Sequence, residues 1–345
     1  MANHGQSEGV EVEAAFHAVR AAAREGDVAA LERLLGVGKR RTRSTSAASD
    51  LESMRHSAML VAADGWGRTA LMLAAYKGCT EAMRLLLYHP SADAAAMLVA
   101  ADGEGMSAAM FAAQNGHADA MRLLLNHPSA DAAAMLIFAN NDGRSALGWA
   151  ALGGHMDAMR VLLNHPSVDA AAMMMHANNR GSTAVEYAAR NGHVEVMRLL
   201  LDHPSADAAA MMVHATSSGG TALLSAAEYG HAEAVRLLLD HSSADPASMM
   251  MHTNNFGSTA LTYAAQEGHA EVMRLLLDHP SADVAAMMMH ATSTCGNALM
   301  YAAQDGHVDA MRLLRLPTQQ RWWRSAVRLV EHSQRLQVFA AGQPV

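Results

Sequence analysis

Twenty histidines stand in a chain of 345 residues, and most of them recur at a fixed interval. His117, His155, His193, His231, His269 and His307 form one series, His89, His127, His165, His203, His241 and His279 a second, and His176, His214, His252 and His290 a third. Imidazoles are common metal ligands, and the Met-Met-Met-His runs ending at His176, His252 and His290 add thioethers that would suit copper(I). Consecutive residues of a helix, however, point to different faces, so such a run does not converge on one ion. A histidine at the same place in copy after copy is what a hydrogen bond from one turn to the next would require. The histidines are therefore expected to stitch neighbouring turns, with no metal and no cofactor.

A second recurrent set pairs a carboxylate with an arginine three residues on: Glu81 with Arg84, Asp119 with Arg122, Asp157 with Arg160, Glu195 with Arg198, Glu233 with Arg236, Glu271 with Arg274, and Asp309 with Arg312. At that spacing on a helix each pair contributes only about 0.2–0.5 kcal/mol, so they read as helix support rather than as acid/base pairs. No Ser-His-Asp or Cys-His set, glycine-rich phosphate loop or zinc spacing occurs, so no catalytic residue is assigned and the chain is expected not to be an enzyme. The mostly aromatic series Leu73, Phe111, Trp149, Tyr187, Ser225, Tyr263 and Tyr301 could be mistaken for a base-stacking ladder. Leu73 in the same slot favours a packing stripe between copies.

These residues must be positioned by a repeat. The glycine of an Ala-Ala-x-x-Gly step falls at Gly78, Gly116, Gly154, Gly192, Gly230, Gly268 and Gly306, and the step from each to the next is 38 throughout. Seven copies in register predict a stack of repeats rather than one globular core. The position that opens the first helix is Thr69, Ser107, Ser145, Thr183, Thr221, Thr259 or Asn297, all side chains that accept from the free N–H groups of a helix start. The glycine ends this helix, because it enters the left-handed region without steric cost. A leucine-rich second helix stops at His-Pro, since a residue before proline leaves the helical region. The Ala/Met stretch that follows does not alternate polar and apolar residues, and Asp245-Pro246 is a cap followed by proline at the first helical position. Each copy is thus expected to carry a short third helix, over about 169–176 and again within 205–216 capped by Asp207, ending at a turn such as Asn178-Asn179-Arg180-Gly181.

At this point residues 257–277, GSTALTYAAQEGHAEVMRLLL, resemble the ankyrin repeat: a glycine turn, T-P-L-H, A-A-x-x-G-H and a Leu-Leu second helix. The resemblance covers residues 57–316, with a degenerate unit at 13–36. T-P-L-H has become T-A-L-x, and the unit is longer than the usual one, so a short helix and turn should replace the usual β-hairpin finger. The resemblance implies an all-α, ankyrin-repeat-like helical solenoid that binds a protein partner on its concave face and loop tips without catalysis. The positions it points to vary from copy to copy. Before the cap they are Trp66 and Arg68, Glu104 and Met106, Asp142 and Arg144, Arg180 and Ser182, and Phe256 and Ser258. After Ala-Ala they are Tyr76 and Lys77, Gln114 and Asn115, Leu152, Arg190 and Asn191, Glu228 and Tyr229, Gln266 and Glu267, and Gln304 and Asp305. A structural spacer without a specific partner would show the same drift.

The remainder frames the array. Residues 1–12 are polar and expected to fray; residues 37–56 contain a basic, hydroxyl-rich insertion expected to loop out. Its Lys39, Arg40, Arg41 and Arg43 could serve nuclear import, although a solvated linker explains them as well. Residues 317–345 break register and place Trp322, Ala326, Leu329, Val330 and Leu336 near helical spacing, as a capping helix, a docking segment or an accidental tail. The net charge of −8 is interspersed along the chain, so no nucleic-acid surface is expected. Only Cys79 and Cys295 occur, no apolar run is long enough to span a membrane, and no secretory leader is recognised. The expectation is a cytoplasmic monomer with one unidentified protein partner.

Overall fold

The computed structural model describes residues 2–37, 46–294 and 296–314. The basic run at 39–43, Cys295 and the C-terminal segment 317–345 lie outside the described residues. Among the described residues there are 23 helices and no strand. The chain divides into two compact units, Met1–Asn179 and Arg180–Val345, each built from the same parts.

In the first unit α1 (Ala2–Glu25) and α2 (Val28–Leu34) form the degenerate copy, and α1 packs along α4 (Ala70–Lys77), with α3 (Ser46–Val61) between them in the chain. The first helices of the next copies, Ala108–Gln114 and Ala146–Gly153, continue that row, while the second helices Thr80–Leu87, Ala118–Leu125 and Met156–Leu163 form a parallel row behind. The second unit repeats both rows, from Ala184–Arg190 to Ala298–Gln304 and from Val194–Leu201 to Val308–Leu313. The first helices are buried through their Ala-Ala pairs and Leu positions, which let neighbouring backbones approach closely. Each second helix buries one stripe, as with Ala82, Met83, Leu86 and Leu87, and turns Glu81 and Arg84 outward. A fully buried leucine stabilises by about 1.5–3 kcal/mol, several times what one of those exposed ion pairs adds. The stack is held by its apolar rows, therefore, and the ion pairs dress its outside.

The expected third helix is present in every complete copy, as at Ala170–Met175 with Asp169 accepting from Ala172 N–H at 3.1 Å, and at Ala208–Val213 capped by Asp207. It buries Met173 and Met174 in one copy and Met211 and Met212 in another, so methionine serves here as core filler. In place of a hairpin finger there is a turn closed by one backbone pair, Asp102 N–H to Met106 O at 3.0 Å, with isolated bridges at Ala101–Ser107 and Ala139–Ser145. The expected caps are in place at all seven first helices, and six use their side chains; Thr183 makes no such bond.

Two expectations at the N-terminal end are corrected. Residues 2–12 are helical, continuing α1 rather than fraying, and 46–56 belong to α3 rather than to a loop. In both, a buried segment anchors one end: Val19, Ala22 and Ala23 in α1, Met59 and Leu60 in α3. Once a helix is nucleated by packing, each added residue gains a hydrogen bond without the cost of a new nucleus, so the helix runs on into polar sequence.

Candidate functional site

The histidine series build the frame on which the variable residues stand. After four of the helix-ending glycines the histidine reaches back one copy: His117 Nε2 lies 3.1 Å from Tyr76 O, His155 2.9 Å from Gln114 O, His231 3.0 Å from Arg190 O and His269 3.0 Å from Glu228 O. A carbonyl only accepts, so Nε2 carries the proton in each. His176, His214, His252 and His290 reach the carbonyls of Gly143, Gly181, Gly219 and Gly257 in the same manner, at 2.9–3.0 Å. The series after the second helix accepts at Nδ1 from a backbone N–H two residues on, as His165 does from Ser167 at 3.2 Å. Among the described residues no three of His, Cys, Asp and Glu converge on a point where an ion could be held. The glycine before each reaching histidine has to be glycine: at Gly116 φ is 74°, and a Cβ there would lie 2.6 Å from His155 Nδ1.

The expected surface residues fall on turn tips and first-helix ends. Trp66, Glu104, Arg180 and Phe256 are exposed at the tips. Arg68 is half-buried, bonded to Asp64 at 2.9 Å, with its guanidinium 4.9 Å from the Trp66 ring centre. Burial pushes the Asp64 carboxyl up, but the N–H groups and guanidinium of Arg68 and the N–H of Trp66 outweigh it and hold the group below its ordinary value. Arg144 is half-buried and lies 4.1 Å over the Trp149 ring. Met106 does not belong to this surface: it is 3% exposed, tucked under its own turn where Asn140 Nδ2 approaches its sulfur at 3.8 Å.

At the helix ends Tyr76, Lys77, Arg190, Asn191, Tyr229, Glu267, Gln304 and Asp305 are exposed, and Gln114, Asn115, Leu152, Glu228 and Gln266 are half-buried. Asn115 and Asn191 use their amides to close their own helices, donating to Phe111 O and Tyr187 O at 2.9 and 2.8 Å. Two groups of these residues come together, one in each unit. In the first, Tyr76 packs edge-on against Phe111 at 6.0 Å with Lys77 over its ring, beside a groove of about 890 Å³ that also touches Arg20, Arg24 and Arg68. In the second, Arg190 donates to Tyr229 Oη at 2.8 Å next to Glu228, in a groove of about 410 Å³. Burial raises the Glu228 carboxyl, Arg190 opposes that, and Glu267 and Glu186 add to it. Phe256, Gln304 and Asp305 lie outside both grooves.

Sequence reasoning passed over Arg20 and Glu186, which line these two grooves. Glu186 is 8% exposed; its Oε1 accepts from the Ser225 hydroxyl at 3.0 Å, and its Oε2 has no partner among the described residues. The signal was available. Six residues before the helix-ending glycine the copies read Arg20, Met72, Met110, Gly148, Glu186, Leu224, Thr262 and Met300, so the only two charges in the column mark the two grooves. The aromatic series is half-buried or buried, as Tyr187 is at 4% exposed, in keeping with a packing stripe.

The family model for ankyrin repeats matches three times, over residues 19–135, 128–212 and 207–288. The chain belongs to the ankyrin-repeat family. Among curated proteins no sequence matches it. As ankyrin repeats, the copies are all-helical modules of a kind that generally serves protein–protein interaction, here with a third helix added to the usual two. Among the described residues of this ankyrin-repeat chain no helix is long and apolar enough to cross a membrane.

Proposed function

We propose that the chain is a non-catalytic scaffold holding one protein partner on the turn tips and first-helix ends. The observation that supports this most is the contrast between frame and surface. Caps, glycine turns and histidine bonds repeat copy after copy, whereas the side chains displayed over them differ and include large apolar groups left in water. Trp66, Tyr76, Tyr229 and Phe256 are 58, 40, 42 and 64% exposed at such positions. Aromatic anchors over a rigid frame suit partner binding, because little side-chain freedom is lost on contact.

The test is partner capture with the full chain and with Trp66→Ala/Tyr76→Ala and Tyr229→Ala/Phe256→Ala, helicity being checked by circular dichroism. Loss of one specific partner in either double variant at unchanged helicity supports the scaffold. Retention of every captured protein in both would favour a spacer without a specific partner. We further propose that the protein is a cytoplasmic monomer, with Lys39, Arg40, Arg41 and Arg43 available as an import signal.

A further inference from the structure

The turns of successive copies are joined by a ladder of single backbone bonds. In the first unit Gly103 N–H donates to Trp66 O at 2.9 Å, Asn141 N–H to Glu104 O at 3.0 Å, and Asn179 N–H to Asp142 O at 2.9 Å. In the second, Ser217, Asn255 and Ser293 donate to Arg180, Ser218 and Phe256 at 2.8, 2.9 and 2.9 Å. The position one repeat before Gly103 is Gly65, in the first turn of the array. The degenerate copy before it offers α1 where a turn would stand, so no earlier carbonyl is supplied. Among the described residues the Gly65 N–H has no partner, and a Cβ built on Gly65 would meet nothing within 4 Å. At Gly103, by comparison, the preceding turn's carbonyl is 3.2 Å from that point. The first rung of the ladder is open.

The groove of the first unit is lined by Asp64, the residue that precedes Gly65 in the chain. Its cations outnumber its acids: Arg20, Arg24, Arg68 and Lys77 face Glu25 and Asp64, in a chain whose net charge is −8. Asp64 is held by Arg68, and Arg24 lies 3.7 Å from Glu25. Arg20 donates to Ala63 O at 3.3 Å, and Lys77 lies 5.3 Å from the Tyr76 ring centre; neither meets a carboxylate among the described residues. The site thus combines an unused backbone donor, two cations without counter-charge and an exposed aromatic wall in Tyr76.

We propose that this open end of the ladder docks an extended acidic segment of the partner protein. The segment's backbone carbonyl takes the Gly65 N–H, as each preceding turn does for the next, and its carboxylates meet Arg20 and Lys77. This rests on the scaffold reading and adds the partner's chemistry to it. The chain's own remaining segments carry the wrong sign: Lys39, Arg40, Arg41 and Arg43 in one, and Arg321, Arg324, Arg328 and Arg335 against Glu331 alone in the other. A nucleic acid would be repelled by the acidic remainder of the protein.

The experiment is fluorescence anisotropy of a labelled Glu/Ser peptide titrated with the full chain, beside a Lys/Ser peptide and a single-stranded oligothymidylate of equal length. Binding of the Glu/Ser peptide should weaken about tenfold or more in Arg20→Gln/Lys77→Glu, and weaken with added salt. Lys77→Glu alone, at an exposed position, should weaken it at unchanged helicity should the double variant fold poorly. Gly65→Pro, which removes the N–H, should weaken binding, while Gly65→Ala should not. No binding of the Glu/Ser peptide, equal binding of the Lys/Ser peptide, tighter binding of the oligonucleotide, or indifference to both Lys77→Glu and Gly65→Pro would each overturn the proposal. Partner capture that still depends on Tyr229 and Phe256 would then leave the scaffold reading in place.

Discussion

Thr183 and Thr259 occupy the same capping position of two copies in the second unit, at 2 and 1% exposure, yet only one of them caps with its side chain. Thr259 Oγ1 accepts from Thr262 N–H at 3.3 Å and pairs with the Thr262 hydroxyl at 3.0 Å. Thr183 Oγ1 is buried with no partner among the described residues. Valine keeps the shape of threonine and removes the hydroxyl, so the same substitution at the two sites isolates the bond. Thr259→Val loses a cap worth about 1 kcal/mol and strands a buried N–H and hydroxyl, for a total cost of about 1–2 kcal/mol. Thr183→Val removes a hydroxyl that burial already penalises and should stabilise by up to about 1 kcal/mol. The gap of about 1–3 kcal/mol, at about 2–4 °C per kcal/mol, should make the two variants melt about 2–12 °C apart, Thr259→Val below the parent and Thr183→Val at or above it. Thermal and urea unfolding followed by far-ultraviolet circular dichroism measures this, with equal urea slopes required for the comparison. Equal destabilisation by both substitutions would refute the assignment of the bond, and with it the view that the seven caps are unequal.

Three further outcomes follow from the same frame. Gly116→Ala meets both a φ of 74° and a Cβ 2.6 Å from His155, so it should cost about 2 kcal/mol or more, whereas Gly65→Ala meets open space and should change the urea midpoint little. Burial lowers His127 below its ordinary value of 6.5, and the residue is 7% exposed. The neutral form is favoured on folding, so its contribution is complete above pH 6.5 and is lost as pH falls from there through the lower folded value; His127→Gln should flatten that part of a stability–pH profile. Because the reaching histidines donate to carbonyls, dialysis against EDTA should leave the melting temperature unchanged, and a metal-dependent fall would contradict the geometry.

Much of the local structure could be read directly because it depends on neighbours a few residues apart. A hydroxyl or amide side chain three residues before an N–H, a glycine able to turn left-handed, and Asp245-Pro246 at a helix start each act within one turn, and the third helix they imply is present at Pro246–Met251. The helical course of residues 2–12 and 46–56 was not legible, since polar composition argued for solvent while distant packing at Val19 and Leu60 anchored the helices. Nor was Met106: its place in the repeat matches Arg68 and Arg144, and only the fold shows that an apolar side chain there turns inward beneath Asn140.

The constant period, the caps and the alternation of fixed and varying positions are properties of the sequence alone, because a repeat's self-similarity survives without coordinates. Which carbonyl each histidine meets, that Thr183 caps without its hydroxyl, and that Arg20 and Glu186 enter grooves were decided by tertiary structure. Those outcomes depend on atoms far apart in the chain, as those of Glu186 and Ser225 are, brought to hydrogen-bond distance only when one copy stacks on the next.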